Sequence, residues 1–194
     1  DPHATLTAFG GPMELLRSEK DDTLGVWQDD GEEDPASVSI GVPEYPGRYK
    51  LISQHARGGM GRIWVAMDNT LGRQIALKEL IGGGASRLLD VSGRGLTAPA
   101  APVARFLQEA RVTGQLEHPS IVPVYELGHR ADGTPYYTMK LVRGRTLSEA
   151  IEKCTDLRTR LELLPHFADL CNAIAYAHDR GVIHRDIKPQ NVMV

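Results

Sequence analysis

The sequence predicts an α+β chain, in which strands gathered around one helix are followed by helices alone. Three observations predict it. Strand-like runs cluster between Tyr49 and Val142, a 3.6-residue apolar period appears once among them, and after Thr146 that period takes over. Runs of strands followed by runs of helices, without regular alternation, mark the α+β class. A charge boundary coincides with the change of pattern. Residues 1–47 carry 11 acids and two bases, net -9, whereas residues 48–194 carry 14 acids and 20 bases, net +6. An acidic leader joined to a mildly basic domain is the reading of that split.

At 194 residues with 41% hydrophobic and 24% charged positions, the chain is neither a membrane protein nor wholly disordered. No run approaches the roughly 18 apolar residues of a spanning helix, so no membrane contact is expected from this segment. Cys154 and Cys171 are too far apart for a C-x-x-C pair, which argues against a zinc module or disulfide framework. The same usage suits a reducing, cytoplasmic compartment. The chain opens on Asp1 without a secretory signal, so its start is expected to be a processed end or that of a fragment.

The elements follow in order. The leader, 1–47, holds the cluster Asp29-Asp30-Gly31-Glu32-Glu33-Asp34 followed by Pro35, Pro43 and Pro46. It is expected to be mostly disordered, with a short helix near Met13–Arg17. Three strands are predicted at Tyr49–Ser53, Arg62–Met67 and Gln74–Leu80, the last two joined by Asp68-Asn69-Thr70-Leu71-Gly72. Residues 82–102, rich in Gly, Ala and Pro, read as a flexible insertion. Val103, Phe106, Leu107 and Ala110 then share one helix face behind Pro102. Two further strands are predicted at Ile121–Glu126 and Tyr136–Val142. Thr146 and Glu149 have the spacing of a capping box. A longer helix is predicted over Leu161–His178, stopped by Gly181.

Chemistry enters with Ala56-Arg57-Gly58-Gly59-Met60-Gly61 between the first two strands. Closely spaced glycines let backbone N–H groups approach phosphate oxygens with no side chain in the way. A plain tight turn has the same appearance. Seventeen residues on, Ile75-Ala76-Leu77-Lys78 ends an apolar strand on an ammonium able to neutralise phosphate. Glu109, on the following helix, could pair with it. Taken singly, each reads more readily as a surface residue.

Val182-Ile183-His184-Arg185-Asp186-Ile187-Lys188-Pro189-Gln190-Asn191 is long and specific. Downstream of the glycine run and the Ala-x-Lys strand, it makes the sequence resemble the eukaryotic-type protein kinase family, in its bacterial Ser/Thr branch. The resemblance implies a five-stranded antiparallel small lobe plus one helix (48–142), followed by the hinge exit, first helices and catalytic loop of an α-helical large lobe (143–194). It implies transfer of the γ-phosphate of MgATP to Ser or Thr hydroxyls of a protein substrate, with no nucleic-acid partner. Asp186 would take the hydroxyl proton, Lys188 would offset charge on the transferred group, and Asn191 would give an oxygen to Mg²⁺. The segment Ala56, Arg57, Gly58, Gly59, Met60, Gly61 would cover the phosphates, with Lys78 holding them and Glu109 fixing Lys78. Ile63 and Ala76 would roof the adenine and Met193 floor it. Met139 would guard the back of the pocket, and Lys140 and Val142 would read the adenine edge. His184 is implied to be mainly structural, and Arg185 to signal control through a phosphorylated activation loop.

Three departures qualify the resemblance. Ala56 stands where the family usually has Gly. Residues 82–102 lengthen the connection from Lys78 to Glu109. The sequence stops three residues past Asn191, before the Asp-Phe-Gly-like motif with its second Mg²⁺ ligand, so the fragment alone is expected to be inactive and aggregation-prone. A nucleotide-binding pseudokinase acting as a regulatory module is the alternative, and a small-molecule phosphotransferase a third, which Lys188-Pro189 disfavours.

Overall fold

The computed structural model describes residues 41–59, 61–81 and 101–194, together with the backbone of Thr5–Leu6 and Glu14–Leu15. The elements run β1 (Thr5–Leu6), β2 (Glu14–Leu15), β3 (Val42–Pro43), β4 (Tyr49–Arg57), β5 (Gly61–Asp68), β6 (Arg73–Leu80), α1 (Ala101–Gly114), β7 (Val124–His129) and β8 (Pro135–Met139). They continue with α2 (Leu147–Glu152), α3 (Leu157–Leu161), α4 (Leu164–Asp179), β9 (Val182–Ile183), a 3₁₀ turn at Pro189–Asn191 and β10 (Val192–Met193). Most of the leader, Met60 and residues 82–100 of the expected insertion lie outside the described residues.

One sheet, in the order β3-β7-β8-β6-β5-β4, organises the first half. The expectation of five antiparallel strands needs correcting on both counts. A sixth strand, β3, comes from the acidic leader and lies parallel to β7, with Val42 opposite Gly128. Its backbone extends that edge because Glu44 also donates its N–H to the His129 carbonyl at 2.9 Å. A second correction concerns Glu14 and Leu15, placed by the sequence in a short helix. They form a strand that pairs antiparallel with β9, while β1 pairs antiparallel with β10. Pairing with an exposed edge satisfies backbone groups that one isolated helical turn would leave open.

Helix α1 lies against the sheet with Val103, Phe106, Leu107, Glu109 and Ala110 buried on one face. Phe106, Leu107 and Ala110 join Ile63, Ala76, Tyr137 and Met139 in one apolar cluster. A second cluster takes Val112, in the last turn of α1, and Leu116, just past it, and packs them with Ile121, Leu147, Leu170, Ala173, Val182 and Val192. That shared core holds the sheet half against the helical half. Thr146 caps α2 with the predicted box, its side chain accepting from the Glu149 N–H while the Glu149 carboxylate accepts from the Thr146 N–H.

The long helix predicted from Leu161 is two helices. Asp156 caps α3 with its own box to Thr159, and α4 begins afresh at Leu164 with a proline in its first turn. Pro165 has no N–H to donate to a preceding turn, so it starts a helix where it would break one. Leu161, Leu164 and Phe167 are exposed.

Candidate functional site

The glycine hairpin joins β4 to β5. Gly58 closes it by donating its N–H to the Gly61 carbonyl at 2.9 Å. Ala56 pairs with Ile63 in the ladder and does not have a positive φ, so an alanine there meets no conformational obstacle. Gly61 is the constrained position. A Cβ on it would sit 2.8 Å from the Glu79 carbonyl oxygen and 3.5 Å from Cε of Lys78. Among the described residues, and apart from the chain neighbours, no atom lies within 4 Å of a Cβ built on Gly58 or Gly59.

Lys78 projects from β6, where its neighbours across the ladders are Ile63 and Tyr137. Its Nζ lies 2.6 Å from Oε1 of Glu109, and both side chains are almost wholly buried. The same carboxylate oxygen accepts from the Tyr137 hydroxyl at 2.7 Å. Burial, reinforced by the adjacent Glu109 charge, raises the Tyr137 hydroxyl well above the usual phenol range, so it stays a donor. Glu109 Oε2 is buried with no hydrogen-bond partner among the described residues. Sequence reasoning brought Lys78 and Glu109 together and missed Tyr137. Only the β6–β8 register reveals that a strand tyrosine stands beside the lysine.

The segment from His184 to Asn191 is held just as closely. The Asp186 carboxylate meets Lys188 Nζ at 2.8 Å and Asn191 Nδ2 at 3.1 Å. Asn191 Nδ2 also donates to the Asp186 carbonyl at 2.8 Å. Hydrogen bonding from Lys188, with a smaller contribution from Asn191, holds the Asp186 carboxyl below its ordinary range. The turn that brings these groups together has Arg185 at φ 61°, a left-handed conformation that costs a non-glycine residue about 1 kcal/mol. His184 and Asn191 are buried and Asp186 is partly open to solvent.

The residues predicted to surround the adenine divide. Ile63, Ala76 and Met139 are buried in the cluster beneath the sheet, with Ala56, Leu141 and Val142 packed partly against it. Met193 lies in β10, half-buried and bridged to Thr146. Lys140 is exposed, and its N–H donates to the Pro123 carbonyl. Arg57 is exposed at the end of β4, and Met60 lies outside the described residues.

Asp186 and Asn191 carry hard oxygen donors of the kind Mg²⁺ takes. Among the described residues no group of three or more His, Cys, Asp or Glu could hold a metal by itself. The donor set therefore fits an ion carried chiefly by nucleotide phosphates, the usual way Mg²⁺ is bound. No described helix is long and apolar enough to cross a membrane.

Comparison with known proteins places this geometry. The family model described as protein kinase domain matches residues 49–194. A serine/threonine-protein kinase PknD of Protochlamydia amoebophila is 39% identical over 168 residues, covering 80% of this chain and 16% of that protein. The PknD of Chlamydia trachomatis serovar L2b is 34% identical over 160 residues, with 76% and 15% covered. The chain thus spans about one sixth of the length of these relatives. Among solved structures, the apo form of PpkA-294 superposes with a TM-score of 0.56 at 25% identity, covering 82% of this chain and 58% of the other.

Proposed function

The chain belongs to the protein kinase domain family, and from that premise we propose that the protein is a Ser/Thr kinase. It transfers the γ-phosphate of MgATP to serine or threonine hydroxyls of a protein substrate. The observation that carries the reading is the Asp186 carboxylate, held between Lys188 and Asn191 and kept ionised by them.

In this reading the backbone N–H at Gly59, at the tip of the hairpin that the Gly58 N–H closes, covers the phosphates. Lys78, fixed by Glu109 and Tyr137, presents its ammonium to the α- and β-phosphates. Asp186 orients the substrate hydroxyl in line with the γ-phosphorus and takes its proton. Lys188 stands 2.8 Å from that carboxylate, close enough to offset charge gathering on the transferred phosphoryl oxygens. Asn191 would hold Mg²⁺ together with the phosphates. Held there, Mg²⁺ would offset negative charge on the phosphates. Ile63, Ala76, Met139 and Met193 enclose the adenine, and the backbone at Lys140 and Val142 reads its edge. We place this chemistry in the cytoplasm, where ATP is abundant and the free thiols of Cys154 and Cys171 stay reduced.

The test uses the full-length protein. Asp186→Asn should abolish autophosphorylation while ATP affinity, read by titration, stays within a few-fold of wild type. Phosphorylation that persists in the variant removes Asp186 from its role. Saturable ATP binding without any transfer by the wild-type protein would instead assign a nucleotide-binding regulatory module.

A further inference from the structure

A row of charged groups crosses the sheet from the leader to the glycine hairpin. It begins at Glu44, whose Oε2 lies 2.6 Å from Nη1 of Arg130. The other guanidinium nitrogen of Arg130 reaches Oε2 of Glu79 at 3.7 Å. Oε1 of Glu79 meets Nη2 of Arg62 at 2.7 Å. Glu44, Arg130 and Glu79 keep 11%, 19% and 8% of their side-chain surface, so most of the row is shielded from water and screened little by salt.

A line of cross-strand neighbours accompanies this row. Val42 stands opposite Gly128, Gly128 opposite Tyr136, Tyr136 opposite Glu79, Glu79 opposite Arg62, and Arg62 opposite Arg57. Arg57 is the residue before Gly58, and Glu79 the residue after Lys78. The close approach at the leader end depends on Gly128, where a Cβ would meet both the Val42 carbonyl oxygen and the Tyr136 hydroxyl at 2.8 Å.

We propose that Glu44 is a positioning residue for the glycine hairpin, acting through Arg130 and Glu79 on Arg62. Arg130 is shared by two carboxylates. With Glu44 in place, the shorter contact is to the leader, and Glu79 keeps its close pairing with Arg62. Without the Glu44 charge, Arg130 turns its whole guanidinium to Glu79, the other carboxylate it is paired with, and competes with Arg62 for it. The base of the hairpin then loses the side chain that ties β5 to β6 beside Lys78. The segment entering the domain thereby sets the order of the phosphate-covering loop, a property distinct from the chemistry at Asp186. Only the nucleotide readout of the test rests on the kinase reading.

The experiment is a double-substitution cycle in the full-length protein with Glu44→Gln, Arg62→Gln and the pair. Glu44→Gln keeps the side-chain shape and the backbone bond to His129. Amide hydrogen exchange over residues 57–62, without nucleotide, should accelerate about 5-fold in Glu44→Gln, the size of a modest coupling between sites. ATP dissociation constants should rise by a similar factor. Adding Glu44→Gln to Arg62→Gln should change neither, since the last link is already cut. Additive effects, or unchanged exchange in Glu44→Gln, would overturn the proposal, as would a fall in melting temperature with no change at 57–62. If exchange follows the cycle and no form binds ATP, the positioning role stands and the kinase reading falls.

Discussion

The hydroxyl of Tyr137 and the ammonium of Lys78 converge on one oxygen of Glu109, at 2.7 and 2.6 Å. Two donors on one buried acceptor fix the lysine in both reach and direction. Breaking this arrangement carries a graded cost. Tyr137→Phe loses a hydrogen bond to a charged group and should lower unfolding free energy by about 1.5 kcal/mol in urea titration. Lys78→Met strands the Glu109 charge without its cation and should cost about 3 kcal/mol. Adding Glu109→Gln to Lys78→Met should recover part of that loss. If the double variant is no more stable than Lys78→Met, the stranded charge is not the cause.

Gly61→Ala separates steric from conformational effects in the hairpin. The new Cβ would press on the Glu79 carbonyl, a backbone atom that cannot swing away. A loss of about 2 kcal/mol in stability is expected, as for overpacking elsewhere. Gly58→Ala meets no atom of the described residues beyond its chain neighbours and should stay within about 0.5 kcal/mol of wild type. Equal losses at the two positions would contradict the packing argument.

Lys188→Met should raise the Asp186 carboxyl towards its ordinary value, because hydrogen bonding from Lys188 is the main cause of its depression. The sign is that of a lowered acid. The folded form gains from ionised Asp186 above the unfolded carboxyl range, and the gain disappears as pH falls through the depressed folded value. Carbon-detected titration of the side chain reads this directly. A midpoint unmoved by Lys188→Met would assign the depression to another group.

Alkaline stability reports on Tyr49. Burial, aided by the negative charge of Glu126, pushes its hydroxyl up to about 12. The contribution of a raised group is whole below its unfolded value and is lost as pH rises through the folded one. Stability should therefore fall from about pH 10 towards pH 12, and Tyr49→Phe should flatten that fall. Tyr136 and Tyr137 are raised as well and leave a residual slope. Identical slopes for Tyr49→Phe and wild type would show that Tyr49 is not part of the effect.

The elements legible in the sequence were those with a local signal. Thr146 and Glu149 announced α2 because a capping box is complete within four residues. Phe106, Leu107 and Ala110 announced α1 because one helix face repeats at a fixed interval. Where the signal was tertiary, it failed. Ile121 and Val122 looked like the start of β7, yet both are buried outside the ladder and the strand begins at Val124. Pro123 explains the delay, for it has no N–H to give and offers only its carbonyl, to Lys140. Strand β3 had no signature at all, being two residues long with a proline and paired across 86 positions. The candidate site followed the same rule. Asp186, Lys188 and Asn191 lie within six residues and could be read together, while Tyr137 depended on strand register.

The pairing of Thr5 with Met193 and of Glu14 with Ile183 has a kinetic consequence. These contacts join positions 188 and 169 residues apart, so their loops close only after the intervening sheet and helices have shortened the path between them. During synthesis β1 and β2 emerge well before β9 and β10 and must wait for them. Until then β1 and β2 are short strands with bare edges, open to pairing with another chain. The β1–β10 and β2–β9 pairings thus seal late among the described elements, and under mild denaturant they should be among the first to open.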